Sequence, residues 1–200
     1  MALDSPAPVL DDSPVTSGIG VFLCKCGKNI GGSVDVDSLA QALEALPAVR
    51  LVQVNTYTCS EPGQAEIETA IAEHKLEKIV VAACSPRLHG PTWQELLRRS
   101  GLNPAVVEVA NIREQCSWVH LHKKDLGTNK ALELIQMAIA KAELLQPVAE
   151  MKVPVTQRAL VIGGGVAGIQ AALDLADAGQ YIDQLGGIGI AQVNHIGIAA

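Results

Sequence analysis

Residues 78–86 read KIVVAACSP, and this stretch indicates the fold class. Apart from the leading lysine, its first six residues form a continuous apolar run, which is typical of a parallel strand covered on both faces. Ser85 and Pro86 match a helix N-cap followed by proline at the first helical position. The stretch therefore predicts a buried strand that ends at Cys84 and is followed closely by a helix.

The alternation of strand and helix patterns continues on both sides of this stretch. Further strand patterns occur at 19–23, 49–58 and 105–112, and helix patterns occur at 37–46, 63–76, 91–101 and 127–146. The apolar side of the last helix is expected to carry Leu132, Ile135, Ile139 and Leu144. Four successive alternations of strand and helix predict an α/β domain with a doubly wound, mostly parallel sheet.

The overall composition excludes several classes of protein. The chain has 200 residues, of which 48% are apolar but only 2% aromatic, so the core is expected to consist of Ala, Val, Leu and Ile. The net charge of −6, without a long Lys/Arg block, argues against nucleic-acid binding. No apolar run approaches the roughly 18 residues of a membrane span. Residues 1–18 lack a secretory signal and are expected to form a flexible segment, so a cytoplasmic protein is predicted.

The most specific feature of the sequence is its set of cysteines. There are five of them, Cys24, Cys26, Cys59, Cys84 and Cys116. The odd count and the lack of an export signal disfavour structural disulfides. Each cysteine lies at or just past the end of a predicted strand, and a parallel sheet brings such ends to one edge, where α/β proteins bind ligands. The cysteines are therefore predicted to converge on a metal or redox site.

The cysteine spacing alone leaves the kind of site open. Thiolates select zinc, copper(I) or iron–sulfur centres. The C-x-C of Cys24 and Cys26 is tighter than the cysteine pairs of structural zinc sites, and the cysteine run of bacterial ferredoxins is absent. A thiol-exchange site would need a C-x-x-C at a helix start, which the sequence lacks. The remaining alternative is that each cysteine packs as a small hydrophobic residue. A metal or cluster site best explains why all five cysteines follow strands.

A second motif, ALVIGGGVAGIQAALDLADAG at 159–179, points to a nucleotide. An apolar strand leads into Gly163-x-Gly165-x-x-Gly168 and then into a helix, as in dinucleotide-binding folds. In such folds, an acidic residue ends the next strand about 20 residues further on. Asp183 lies in this interval, but no β-rich run precedes it. We therefore expect the chain to contain only the opening of a flavin or nicotinamide domain.

Several motifs, taken in order, closely resemble one known family. They are LCKCGKNIGGSVDV (23–36), TCSEPGQ (58–64), VVAACSPRLHGPTW (80–93), ANIREQCSWVH (110–120) and PVTQRALVIGGGVAGIQAALDLADAG (154–179). From about Ile19 to Gly179, the chain resembles the N-terminal part of the A subunit of heterodisulfide reductase, an iron–sulfur flavoprotein oxidoreductase. The resemblance implies a [4Fe–4S] cluster in the α/β domain and, beside it, a thioredoxin-reductase-like FAD domain. In the bifurcating members, the flavin splits an electron pair between ferredoxin and the heterodisulfide branch.

The resemblance also implies site residues and partners. The implied cluster ligands are Cys24, Cys26, Cys59 and Cys84, with Cys116 as a fifth candidate, and the implied FAD pyrophosphate residues are Gly163, Gly165 and Gly168. The implied partners are other heterodisulfide reductase-type subunits and an electron donor such as a hydrogenase, a formate dehydrogenase or ferredoxin.

The resemblance and the motifs together suggest three segments. They are a flexible segment at 1–18, a cysteine-bearing α/β domain at 19–150, and a linker plus a truncated start of an FAD/NAD(P)-binding Rossmann domain at 151–200. Electron transfer within an iron–sulfur flavoprotein is the predicted function, while enzymatic activity of this chain by itself stays open. The alternatives are a non-catalytic assembly module and a zinc-stabilised domain.

Overall fold

The computed structural model describes two compact units of the chain. The described residues are 18–149, 151, 153–154, 158–179, 181–186 and 192–196, the last two ranges by their backbone. The units are Met1–Ala149 and Glu150–Ala200. The segment 1–18, predicted to be flexible, lies outside the described residues except for Gly18.

The first unit is built from alternating strands and helices. In chain order its elements are β1 (Ile19–Cys24), α1 (Lys28–Gly31), α2 (Val36–Glu44), β2 (Val49–Asn55), α3 (Glu61–His74), β3 (Lys78–Ala83), α4 (Pro86–Arg99), β4 (Val107–Asn111) and α5 (Lys124–Leu144). A 3-10 turn at Pro104–Val106 precedes β4, and a π-helical turn at Arg113–Ser117 follows it.

The four strands form one parallel sheet in the order β2-β1-β3-β4. Ile19 of β1 pairs with Val49 of β2 on one side and with Lys78 of β3 on the other. The helices α2 and α5 contact each other and cover one face, while α3 and α4 contact each other and cover the opposite face. The predicted doubly wound parallel sheet is therefore confirmed.

The core lies on both sides of the two central strands. All six residues of β1 are buried, as are five of the six in β3. Phe22 and Trp93 are the two largest fully buried side chains, and the rest of the core is mostly aliphatic. This agrees with the small share of aromatic residues in the sequence.

Two helices on the same face begin at serine caps. The Ser60 hydroxyl accepts a hydrogen bond from the Gly63 amide at the start of α3, and the Ser85 hydroxyl accepts one from the Arg87 amide at the start of α4. The second cap confirms the helix start predicted from Ser85 and Pro86, so α4 begins before the helix pattern at 91–101. Pro91 lies inside this helix rather than at its start.

Helix α5 buries most of its predicted apolar side, since Ile135 and Ile139 are buried and Leu132 packs partly buried against the core, but Leu144 was misplaced. Leu144 is 81% exposed, whereas the buried side includes Ala131, Ile135 and Ala142. Small alanine side chains allow the helix to pack closely on the sheet, so the buried stripe is not marked by leucines. With 21 residues, α5 is the longest helix that the structure describes. None of the helices in the described part of the chain has the length and apolar character required to cross a membrane.

The second unit extends beyond the single strand and helix that the sequence predicted. Strand β5 (Arg158–Ile162) and helix α6 (Val166–Asp177) are followed by β6 (Tyr181–Gly186), which pairs in parallel with β5. Strand β7 (Gln192–Ile196) then pairs antiparallel with β6. The expectation that no strand follows α6 was wrong, because backbone pairing with β5 compensates for a weak local β pattern. Asp183 lies inside β6 rather than at its end.

Candidate metal centre

Four of the cysteines follow neighbouring strands of the sheet. Cys24 is the last residue of β1, Cys26 follows two residues later, and Cys84 comes directly after β3. Cys59 lies in the connection between β2 and α3. The strand order reverses between β1 and β3, and the crevice at such a point is where doubly wound sheets bind ligands.

A tight loop after β1 presents Cys26. The Lys25 amide donates to the Asn55 carbonyl of β2 at 2.8 Å, and the Lys25 carbonyl accepts from the amides of Ile30 and Gly31. Cys26 itself has a φ of 45°, and Gly27 has a φ of 55°. A cysteine in the left-handed region is held there by its surroundings, and such residues concentrate at functional sites.

Replacing Gly27 with alanine is expected to destabilise the first unit by about 1–3 kcal/mol. The backbone at Gly27 (φ 55°, ψ −124°) disfavours any side chain, and an added Cβ would lie 2.8 Å from the Tyr57 hydroxyl. Urea unfolding followed by tryptophan fluorescence would measure the loss. Gly90→Ala is the matched control, since Gly90 is helical and has open space around it, so stability should stay equal or rise. An unchanged urea midpoint for Gly27→Ala would contradict the predicted strain of a side chain at this position.

The Cys24 thiol is surrounded by backbone groups of the loop after β2. Its sulfur accepts a hydrogen bond from the Thr58 amide at 3.4 Å and lies 3.8 Å from the Thr56 carbonyl. The Thr58 side chain is fully buried, and its hydroxyl has no hydrogen-bond partner among the described residues. A buried polar atom without a partner is costly, and a water or another bound group is one of the ways in which proteins satisfy such an atom.

Electrostatic interactions connect the four thiols. Burial raises the pKa of the Cys59 thiol, the charges of Cys24 and Cys26 raise it further, and Arg113 opposes the rise. Burial likewise raises the pKa of Cys84, and Arg113 again opposes the rise. The charge of Glu114, and after it those of Cys59 and Cys26, add to the increase in the pKa of Cys84. Burial thus favours the neutral form of the Cys59 and Cys84 thiols.

Cys116 is placed apart from these four thiols. It is fully buried within the π-helical turn, and its sulfur donates a hydrogen bond to the Gly127 carbonyl of α5 at 3.0 Å. Burial raises its pKa, and the charged group acting on it is Lys130 rather than another cysteine. A sulfur bonded in this way lies under α5 and packs as part of the core.

The donor set fits a soft metal or cluster by its chemistry. It consists of four cysteines without an acidic or histidine ligand, which is the preference of zinc and iron–sulfur centres. As the side chains stand, no three Cys, His, Asp or Glu residues in the described part of the chain lie close enough together to hold a metal ion. The assignment of ligands therefore stays a proposal.

Sequence reasoning missed two charged residues next to the thiols. Arg113 donates to the Cys26 sulfur at 3.5 Å and to the Glu114 carboxylate at 2.8 Å. The other Glu114 oxygen accepts from the amide of Ser85, the residue after Cys84. The sequence contained a signal for both residues. They follow β4 within the motif ANIREQC, at the same edge of the sheet as the cysteines.

The glycine motif of the second unit has the geometry of a nucleotide-binding turn. Gly163 has a φ of 124°, which disfavours a side chain, and Gly165 is the N-cap of α6 with open space where a Cβ would lie. A Cβ on Gly168 would lie 2.1 Å from the Gly163 carbonyl, so only glycine allows the helix to approach the turn. These are the roles that the three glycines have in dinucleotide-binding folds.

Comparison with known proteins identifies relatives. No family model matches the chain. The chain is 53% identical over 161 residues to an iron–sulfur A subunit (the second of two) of the CoB–CoM heterodisulfide reductase of Methanopyrus kandleri, a match that covers 80% of this chain and 24% of that protein. Identity and coverage are the same for the A subunit of the H2:CoB–CoM heterodisulfide,ferredoxin reductase of Methanothermobacter marburgensis. A protein of Archaeoglobus profundus that is named as similar to the heterodisulfide reductase A subunit is 48% identical over 164 residues, covering 82% of this chain and 23% of that protein.

These relatives share one family name. The chain spans about a quarter of the length of the curated relatives that it matches. The matches agree with the resemblance carried by the cysteine and glycine motifs. Over 80% of its length, the chain is therefore a homologue of the A subunit of heterodisulfide reductase.

Proposed function

We propose that the first unit binds a [4Fe–4S] cluster and transfers electrons as part of a heterodisulfide reductase-type oxidoreductase. The observation that carries this proposal is the position of four cysteines at or just past the carboxyl ends of β1, β2 and β3, where the strand order of the sheet reverses. A relative that is 53% identical is an iron–sulfur subunit by name, which supports the same kind of centre. Such a centre, when bound, accepts and donates single electrons.

The proposed ligands are Cys24, Cys26, Cys59 and Cys84. Cys24 and Cys84 are only 4% and 7% exposed, so the protein surrounds that part of the site and limits the access of water. The Thr58 amide already donates to the Cys24 sulfur. Hydrogen bonds to cluster sulfurs and low solvent exposure are two of the properties that set the reduction potential of an iron–sulfur centre.

The second unit supports a further proposal about a cofactor. Gly163, Gly165 and Gly168 would allow a pyrophosphate to approach the N-terminus of α6, whose free amides favour anions. FAD is the dinucleotide that we propose for the longer protein. Reduction of a heterodisulfide, with a hydrogenase, formate dehydrogenase or ferredoxin as the electron-donating partner, is likewise proposed for the whole assembly.

Anaerobic reconstitution of the 200-residue chain with iron and sulfide tests the proposed function. We expect about four iron and four sulfide per chain, an absorption band that bleaches on reduction, and an EPR signal from the reduced state. The matched control is the same chain with its thiols alkylated under denaturing conditions before refolding and reconstitution. Stoichiometric zinc without sulfide would instead indicate the zinc-stabilised domain. Binding of partner subunits without any metal would favour the assembly module.

A further inference from the structure

Arg113 is held in one orientation by three different contacts. Its guanidinium donates to the Glu114 carboxylate at 2.8 Å and to the Cys26 sulfur at 3.5 Å. It also lies 4.9 Å from the centre of the Trp118 ring, within the range of a cation–π interaction. The Arg113 side chain is only 16% exposed. A half-buried guanidinium with this many partners has a fixed position rather than a mobile surface one.

The same contacts link three loops at the edge of the sheet. Arg113 follows β4 and contacts Cys26 in the loop after β1. Glu114 connects the arginine to the loop after β3, because its second oxygen accepts from the Ser85 amide at 2.9 Å. The Glu114 amide in turn donates to the Asn111 side chain at the end of β4. The arginine is therefore positioned relative to both Cys26 and Cys84.

Arg113 is also the cation whose charge reaches several thiols. It opposes the rise in pKa that burial causes at Cys59 and at Cys84, in addition to its direct contact with Cys26. Lys25, between the first two cysteines, is engaged differently, since its ammonium pairs with Asp37 at 3.0 Å. Arg113 is thus well placed to act on any negative charge that collects among the thiols.

We propose that Arg113 is a positioning residue that supplies a fixed positive charge to the thiolate-bound centre and so favours its reduced state. This inference rests on the proposed iron–sulfur function. A [4Fe–4S] centre held by four thiolates is anionic, and it gains one further negative charge when it accepts an electron from a reductant. A nearby guanidinium stabilises the more negative state more strongly, because the Coulomb attraction grows with the charge.

The test is a redox titration of the reconstituted full chain, with iron and sulfide measured separately. For Arg113→Gln, we expect the ratio of reduced to oxidised cluster at a fixed potential to fall about tenfold, a shift of about −59 mV for a one-electron couple. Arg113→Lys keeps the positive charge but lacks the planar guanidinium group, so we expect less than half of that shift in potential. Arg98→Gln is the matched control, because it removes the same charge from the C-terminal turn of α4, far along the helix from Cys84.

Each outcome decides between the two proposals. A normal cluster content with the expected order of potentials supports both. A normal cluster content in all variants with an unchanged potential in Arg113→Gln overturns the role of the arginine and leaves the iron–sulfur function standing. If Arg113→Gln assembles no cluster, the Arg113→Lys variant is used instead. A cluster in Arg113→Lys supports the proposed role of the positive charge, and loss of the cluster in both variants overturns that role. Absence of a cluster from the unsubstituted chain overturns both proposals.

Discussion

Replacing Cys84 with alanine is expected to abolish the [4Fe–4S] cluster, while replacing Cys116 with alanine leaves the cluster intact. Cys84 directly follows β3 at the point where the strand order reverses, next to β1, which ends at Cys24. The Cys116 thiol is hydrogen-bonded to the Gly127 carbonyl under α5. We expect Cys24→Ala, Cys26→Ala and Cys59→Ala to behave like Cys84→Ala, because a cubane needs four ligands.

Iron and sulfide content and the EPR signal of the reduced state measure this result. Both substitutions remove one buried thiol, so Cys116→Ala controls for a general loss of folding. Circular dichroism on each variant before reconstitution establishes that the sheet is present. A full cluster in Cys84→Ala, or a lost cluster in a folded Cys116→Ala, would contradict the proposed ligand set.

Replacing Phe22 with alanine is expected to lower the free energy of unfolding of the first unit by about 3–5 kcal/mol. Phe22 lies on β1, one of the two central strands, and its side chain is fully buried. It is the only phenylalanine in the chain, so no second ring compensates for the cavity that alanine would leave. The loss would be a large part of the roughly 5–15 kcal/mol that stabilises an ordinary domain.

Urea unfolding followed by tryptophan fluorescence isolates this effect. The two tryptophans of the chain, Trp93 and Trp118, both lie in the first unit, so the signal reports on that unit. Met137→Ala is the control, since Met137 is 57% exposed on α5 and should change stability by about 0.5 kcal/mol or less. Equal midpoints for Phe22→Ala and Met137→Ala would show that the strand does not form the core as described.

The sheet was predictable because its strands have strong local patterns. The run at 78–83 coincides with β3, and the run at 19–23 coincides with all but the last residue of β1. Parallel pairing then places the strand ends at one edge, which the alternation of elements already implied. The grouping of Cys24, Cys26, Cys59 and Cys84 at that edge could therefore be expected from the sequence.

Other features depend on contacts that no local pattern records. The buried side of α5 includes alanines, so leucine spacing misplaced Leu144. Strand β6 forms where pairing with β5 satisfies its backbone, although only Tyr181 and Ile182 of its six residues are strong β-formers. The separation of Cys116 from the other thiols follows from a π-helical turn, which turns its sulfur toward Gly127. Such side-chain directions are set by tertiary packing rather than by position after a strand.

The parallel pairing of β1 with β3 also has a consequence for how the domain folds. Ile19 pairs with Lys78, so the chain must first form α2, β2 and α3 or hold them loosely in a long loop. Contacts between residues so distant in sequence form late, because closing the loop costs entropy before any pairing is gained. Cys24 and Cys84 become neighbours only at that stage. We therefore expect insertion of the proposed cluster to follow the pairing of β1 with β3, since that pairing brings the proposed ligands Cys24 and Cys84 to adjacent strands.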